Sequence, residues 1–244
     1  MDSPHILTDV SLAINLTNSA GTPGTAGAQA LLAHLQRFDL PSIWMLDDPA
    51  EAKTIDFRKL AQDDFELALA VSARTPQRLR SELVTRQNQV RTTFGKEVSA
   101  VLGDAQALRS RAALLADFGI RAVISDARDS TAGKPPRLLP CGLWQFDTAL
   151  SVPQSRGLWS VLPGRRPNVK PLLAAALAGT PQMIVIDLAQ LRARELQGCL
   201  SLLSEIAAAR REQQVRVTKV SDLADALSSR NVVKPQRSIL RRAA

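Results

Sequence analysis

Glu66-Leu67-Ala68-Leu69-Ala70-Val71-Ser72-Ala73-Arg74-Thr75-Pro76 is the stretch whose reading decides the fold. Leu67 to Val71 is an apolar run of strand length that stops at a polar turn. Thr75 can cap a helix, and Pro76 suits its first position. Over 76–94, Leu79, Leu83, Val90 and Phe94 share one helical face, and Gly95 is placed to end the helix. In α/β proteins chemistry sits at this junction, at the carboxyl end of a strand just before a helix. The turn here offers Ser72, Arg74 and Thr75, with no carboxylate, histidine or cysteine to ligate a metal or take a proton.

The alternation continues on both sides. Val10 to Leu16 reads as a first strand, and 17–27 as a loop rich in Gly, Thr, Ser and Asn. Ala28, Leu31, Leu32, Leu35 and Phe38 then fall at helical spacing. Pro41 opens a strand from Ser42 to Leu46 that ends at Asp47-Asp48-Pro49, and a short helix is expected around Phe57 to Gln62. Beyond Gly95, Asp104 can cap a helix in which Leu108, Ala112, Leu115 and Phe118 face one way, followed by a strand from Ile120 to Ser125. Residues 127–140 read as a loop, Leu143 to Phe146 as a short strand, 151–167 as irregular chain and 171–177 as a helix stopped by Gly179. Met183 to Ile186 is a continuous apolar run, as for a strand buried on both faces. A long helix over 189–210 with Leu196, Cys199, Leu203 and Ile206 as its stripe, a strand from Val215 to Val217, and a helix begun by Ser221-Asp222 complete the series.

This pattern predicts an α/β fold with parallel strands and helices outside. No Gly-x-Gly-x-x-Gly follows the first strand and no phosphate loop is present, which disfavours a nucleotide-binding open sheet. The expectation is a distorted or incomplete (β/α) barrel of about seven parallel strands. Residues 1–228 are read as one domain and 229–244 as a basic, disordered tail.

Composition bounds the function classes. Aromatic residues make up 4% and tyrosine is absent, so Leu, Ala, Val and Ile must fill the core. Cys141 and Cys199 lie far apart without metal or redox spacing, and both are expected to be buried and unpaired. The first residues lack a secretory pattern and no apolar run is long enough to span a bilayer, so the expected location is the cytoplasm, with no membrane partner. The net charge of +8 permits an anionic partner. No acid occurs between Asp147 and Asp187, a stretch that carries Arg156, Arg165, Arg166 and Lys170. Arg230, Lys234, Arg237, Arg241 and Arg242 also run to the end without an acid. No aromatic residue is interleaved with this tail, so nothing specific supports nucleic-acid recognition by base stacking.

The carboxyl ends of the strands give Thr17 and Asn18; Asp47 and Asp48; Ser72, Arg74 and Thr75; Asp126, Arg128 and Asp129; and Asp187. They can form a polar pocket for a hydroxyl-rich or charged ligand, or serve as ordinary turn and cap residues. Asp47, Asp48, Ser72, Arg74, Asp126, Asp129 and Asp187 are the candidate ligand-binding residues. Of the two histidines, His5 is terminal and His34, between Leu31 and Phe38, reads as a half-buried packing residue. No histidine is placed as the base of a Ser-His-acid or Cys-His arrangement. Trp144 and Trp159 either flank a pocket or plug the end of a core.

In element order from about residue 8 to 228, the chain resembles the NodB-homology family of polysaccharide deacetylases. The blocks that carry the likeness are residues 12–46 with their Phe-Asp-Leu-Pro link, residues 66–95, Leu-Leu-Ala-Asp-Phe-Gly-Ile-Arg-Ala-Val-Ile-Ser-Asp at 114–126, and residues 181–227. The resemblance implies hydrolysis of acetyl groups from sugar polymers, with a divalent metal held by an Asp and two His, a second Asp as base and a further His as acid. By this resemblance, the family's Thr-Phe-Asp-Asp falls on Asn15-Leu16-Thr17-Asn18, and its His-Ser/Thr-x-x-His on Val71 to Thr75, where only Ser72 is kept. Its Arg-x-Pro-Tyr block, near Val101 to Asp104, is absent. Asp126 and Asp129 match its Asp-x-x-Asp, without the Trp that follows. Ile186 stands where the acid His would be, and Asp187 remains. The implied metal positions are thus occupied by Asn18, Val71 and Thr75, and Thr17, Asn18 and Asp187 are remnant catalytic positions. The expectation is a degenerate, catalytically inactive relative without a cofactor that binds a glycan or a protein partner. The alternatives are a hydrolase with a rebuilt carboxylate site and a binder of nucleic acid or another acidic polymer.

Overall fold

The computed structural model describes residues 8–16, 23–50, 52, 55–57, 64–71, 75–125, 134–152, 180–191 and 193–230. Among them the elements run β1 (Thr8–Asn15), α1 (Pro23–Arg37), β2 (Ser42–Leu46), β3 (Phe65–Ala70), α2 (Pro76–Phe94), β4 (Val98–Gly103), α3 (Ala105–Arg109), α4 (Ala112–Asp117), β5 (Ala122–Ser125), β6 (Arg137–Leu138), β7 (Trp144–Val152), β8 (Gln182–Asp187), α5 (Ala193–Arg211), β9 (Val215–Val217) and α6 (Val220–Arg230).

Seven strands pair in parallel in the order β1-β2-β3-β4-β5-β7-β8, and β8 returns to β1 to close a barrel. The expected fold class holds, and the ring is complete. Its membership differs from the sequence reading. β4 went unread because Val-Ser-Ala-Val-Leu-Gly mixes small residues of low strand propensity with only three large apolar ones. The strand over 215–217 is outside the ring: β9 pairs with residues 8–10 of β1, below the point where residues 12–15 pair with β2. The two-residue β6 likewise pairs antiparallel with residues 144–145 of β7, ahead of the residues that pair with β8. The helix expected from Asp104 is two, α3 and α4, interrupted at Ser110 and Arg111. Most of the segment expected as a helix around Phe57, and all of 171–177, lie outside the described residues.

Strand alternation sorts the side chains into two cores. Ala13, Ile43, Met45, Ala68, Ala100, Leu102, Ala122, Ile124, Phe146, Met183 and Val185 fill the barrel. Leu12, Ile14, Trp44, Leu46, Leu67, Leu69, Val101, Val123, Ile184 and Ile186 face outward beneath the helices. Four alanines among the inner residues let a narrow ring close. Four of the scarce aromatics gather outside: Phe57 meets Trp44, Phe65 and Phe94 at ring separations of 5.1, 5.3 and 5.5 Å.

Local sequence explains the element that opened the reading. Thr75 Oγ1 accepts the Arg78 amide at 3.3 Å, Pro76 begins α2, and Gly95 ends it with φ of 65°. Leu79, Leu83 and Val90 are its buried stripe. β4 then passes so close to the end of β3 that a Cβ on Gly103 would lie 3.0 Å from the Val71 carbonyl oxygen.

α6 closes the amino-terminal end of the barrel, the floor. Val220, Leu223 and Ala224 join the inner core. Glu66 Oε2 accepts the amides of Val220 at 3.0 Å and Ser221 at 3.2 Å. At the helix's other end, Trp144 Nε1 donates to Ser228 Oγ at 2.8 Å. Trp144 is therefore a core plug, and Trp159 lies outside the described residues. α6 runs to Arg230, two residues past the domain boundary read from sequence.

Candidate functional site

The carboxyl ends of the barrel strands form the mouth, where the chemistry of such folds is built. Counting inward positions by alternation gives Asn15 on β1, Met45 on β2, Ala70 on β3, Leu102 on β4, Ile124 on β5, and Val185 and Asp187 on β8. Asn15 and Asp187 are direct register partners, so amide and carboxylate stand side by side. Asp187 accepts a hydrogen bond from Gln190 Nε2 at 2.7 Å. On β7, Ser151 pairs in register with the inward-facing Val185 and so also faces the mouth; the other described inward positions at this end are apolar.

The other sequence candidates are dispersed. Asp47 is exposed and turns toward α2, where its Oδ1 lies 3.7 Å from Arg86 Nη2. Asp48 accepts the Ala50 amide at 2.8 Å, an ordinary turn contact. Thr75 is the helix cap already described. Val71 is buried in the outward-facing core, and its amide donates to the Leu102 carbonyl at 2.9 Å. Ile186 belongs to the same outward core. Thr17, Asn18, Ser72, Arg74, Asp126, Arg128 and Asp129 lie outside the described residues.

The donor set does not suit a histidine-held metal. Among the described residues no group of three His, Cys, Asp or Glu is arranged to hold an ion. The chain has two histidines. His5 precedes β1. His34 is in the last turn of α1, a helix that starts after the carboxyl end of β1 and so ends toward the floor. Its Nε2 is 3.0 Å from Ser204 Oγ on α5, and its ring meets Phe38 edge-on at 5.0 Å. Burial lowers its pKa below 6.5, with Arg37 adding to that, while a hydrogen bond involving the Leu200 backbone opposes. The expected packing role holds. Cysteine offers no substitute: Cys199 is buried, but Cys141 is exposed on a turn, contrary to the expectation that both are buried. Both thiols are free.

Among the described residues, two cavities beside the barrel stand out. One, of about 450 Å³, is at the floor, lined by residues that include Asp64, Arg210, Arg216, Lys219 and Asp222. Its charges are largely engaged in structure: Arg216 Nε bonds the buried Asp9 at 2.6 Å, Lys219 lies 3.6 Å from Asp222, and Arg210 binds the Phe38 and Asp39 carbonyls. The other, of about 480 Å³, runs along α2 at the rim of the mouth, between Asp47, Asp48 and a helix face of Arg78, Ser81, Glu82, Thr85, Arg86 and Gln89. Arg86 is fixed from three sides, by Asp47, by Glu82 at 2.8 Å and by the Ala70 carbonyl at 2.6 Å. Every side chain lining this groove can hydrogen-bond. Sequence reading missed the groove, because α2's exposed face looks like a solvated surface until the Asp47-Asp48 turn is placed opposite it.

No family model matches the sequence, and no curated protein matches it. Solved structures do match. A Mycobacterium smegmatis protein named as a polysaccharide deacetylase superposes with a TM-score of 0.67 at 16% identity, over 94% of this chain and 93% of the other. Puue allantoinase gives 0.64 at 14% identity, over 91% of each chain. A CE4 family pseudoenzyme from Bacillus anthracis gives 0.53 at 11% identity, over 91% of this chain and 66% of its own. One backbone thus carries differently named activities and the lack of one, so the likeness speaks to the fold. The closed seven-stranded parallel ring and these superpositions together show that the chain has the NodB-like polysaccharide deacetylase fold.

Proposed function

We propose that this protein is a non-catalytic member of the deacetylase-fold group, one that holds a carbohydrate without hydrolysing it. The observation that carries the reading is the position of its histidines. Metal-assisted deacetylation needs ligands that lower the pKa of a bound water toward neutrality. Here His34 is packed between α1 and α5 toward the floor, and the described mouth offers an amide, a carboxylate, a hydroxyl and apolar side chains.

The surface favours a carbohydrate over a protein partner. Protein interfaces depend on a few large anchors buried at their centre. Among the described residues only Val84 and Leu138 are large exposed hydrophobics. The groove along α2, in contrast, presents hydroxyl, amide, carboxylate and guanidinium groups beside the mouth, several already held in place. Preorganised donors and acceptors suit a ligand rich in hydroxyls.

The test pairs two measurements on the full chain. Elemental analysis should find less than a tenth of an equivalent of zinc, and incubation with chitooligosaccharides should release no acetate. Titration with neutral oligosaccharides should give saturable binding that Gln89→Ala or Thr85→Ala weakens. One equivalent of zinc with acetate release would refute the non-catalytic reading, and absence of binding across a panel of glycans would refute the carbohydrate.

A further inference from the structure

The groove along α2 carries a spacing that selects among carbohydrates by shape. Arg78, Ser81, Thr85 and Gln89 line it, all exposed, one on each successive turn of the helix. With about 3.6 residues per turn, they stay within about 80° of one another around the axis and advance roughly 16 Å along it. Thr75 holds the Arg78 backbone amide, and among the described residues none of the four side chains has a hydrogen-bond or ion-pair partner. Glu82 and Arg86 are half-buried and flank this row on the side of the Asp47-Asp48 turn. Arg86 is tied to Asp47, Glu82 and the Ala70 carbonyl, so one exposed charge of each sign, Arg78 and Asp48, is left over.

Building on the carbohydrate reading, we infer that this groove takes a neutral, linear oligosaccharide of about three or four pyranoses, joined through equatorial bonds and lying along α2. One helical turn advances about 5.4 Å, close to the length that each pyranose adds to such a chain. Ring after ring then meets the next side chain of the row, and the row ends at Gln89. An axially linked chain coils instead, and its rings turn away from the row. The cavity of about 480 Å³ is in the size range of ligand pockets. Arg78 and Asp48 balance each other, so no excess charge favours an acidic or a basic chain. Guanidinium, hydroxyl and amide groups in the row supply donors and acceptors, and sugar hydroxyls match either role.

The experiment is calorimetric titration of the full chain with two ladders of glucose oligomers, from the monosaccharide to the hexasaccharide. Cello-oligosaccharides are equatorially linked, and malto-oligosaccharides are axially linked. Each added cello residue should tighten binding roughly fivefold, the worth of one hydrogen bond, up to about three or four residues, and further residues should add nothing. The malto ladder should gain nothing beyond its disaccharide. Gln89→Ala at one end of the row and Arg78→Ala at the other should each bring the plateau one residue earlier, with disaccharide affinity unchanged. Both positions are exposed, and circular dichroism checks that the variants fold. A uronate oligomer of the same length and linkage should bind no tighter than the neutral one. Affinity that does not grow with length, equal binding of the two ladders, tighter binding of the uronate, or a plateau that neither variant moves overturns the inference and leaves the carbohydrate reading standing. No binding by either ladder overturns it as well, and the wider panel of glycans then decides whether the carbohydrate reading falls with it.

Discussion

Replacing Glu66 tests how the floor of the barrel is sealed. Its carboxylate accepts the Val220 and Ser221 amides at 3.0 and 3.2 Å, and so supplies the first turn of α6 with the acceptor that helix starts lack. α6 in turn contributes Val220, Leu223 and Ala224 to the inner core. Glu66→Ala leaves two amides unpaired at a partly buried site, at about 1 kcal/mol each, for about 2 kcal/mol in total. In a chain of this size that is a fall in Tm of roughly 4–8 °C. Glu66→Gln keeps a carbonyl acceptor in place and should stay within about 1 kcal/mol of the native chain. The two are separated further by pH. Burial raises the Glu66 pKa above its ordinary 4.5, with Asp222 adding to the rise, against opposing hydrogen bonds from Ser221 and the charge of Lys219. The folded chain therefore holds this proton more tightly than the unfolded chain. That contribution is fully present below the ordinary value and is lost as pH rises through the raised folded value. Urea unfolding followed by circular dichroism between pH 4 and 8 should show this decline in the native chain, superimposed on the other carboxylates, and Glu66→Gln should lack it. An alanine variant as stable as the native chain, or a glutamine variant with the native pH slope, refutes this account of how α6 is seated.

The α2 caps give a second check. Thr75→Ala should cost about 1 kcal/mol by removing the acceptor for the Arg78 amide, and Gly95→Ala about 1–2 kcal/mol because φ is 65° there, both read from urea midpoints. The cysteines give a third. Burial pushes the Cys199 thiol up to about 12, whereas Cys141 is exposed. A thiol reagent should modify one cysteine per native chain and two after denaturation, and rapid native labelling of both would mean that α5 does not pack as described.

The fold was legible because its signals are local. The limits of 76–94 follow from Thr75, Pro76 and Gly95, and the structure reproduces them. The strand from Ser42 to Leu46 is legible with the same bounds because Pro41 and Asp47 bracket a run in which Ser42 is the one polar residue. β4 was missed where alanine, serine and glycine dilute that signal, and β7 was read as 143–146 although it runs to Val152, because its later residues, Asp-Thr-Ala-Leu-Ser, carry no strand-like alternation. The site was less legible, because it depends on which elements meet. Asp47 looked like a mouth residue, and its pairing with Arg86 required knowing that α2 lies across from the turn. Cys141 looked buried, and its exposure depends on a turn with φ of 62°. Matching a motif by position also does not reveal strand parity: Val71 and Ile186, aligned with histidines by resemblance, both pack in the outward core.

That parity explains how a barrel can keep its fold while its mouth changes. Along each strand, alternate residues belong to different bodies. Leu67, Leu69 and Val71 are held by the helix layer, and Ala68 and Ala70 by the barrel interior. Substitutions at the last inward positions touch few of the outward contacts, so they are weakly constrained by stability. A chain selected only for folding would keep the first set and let the second drift toward small and apolar residues. Much of the described mouth has that composition, with Ala70, Leu102 and Val185 beside the polar Asn15, Asp187 and Ser151. Glu66 marks the contrast. It shares the inward face of β3 with Ala68 and Ala70, yet it remains polar because α6 depends on it. An inward polar residue persists here where the fold uses it. By the same reasoning, Asn15, Asp187 and Ser151, the polar residues among the described inward positions of the mouth, are where any remaining selection for ligand at that end must act. Asp187→Ala should therefore cost no more than about 1 kcal/mol, the worth of a hydrogen bond such as the one from Gln190. A large loss in urea unfolding would show that Asp187 is retained for folding instead.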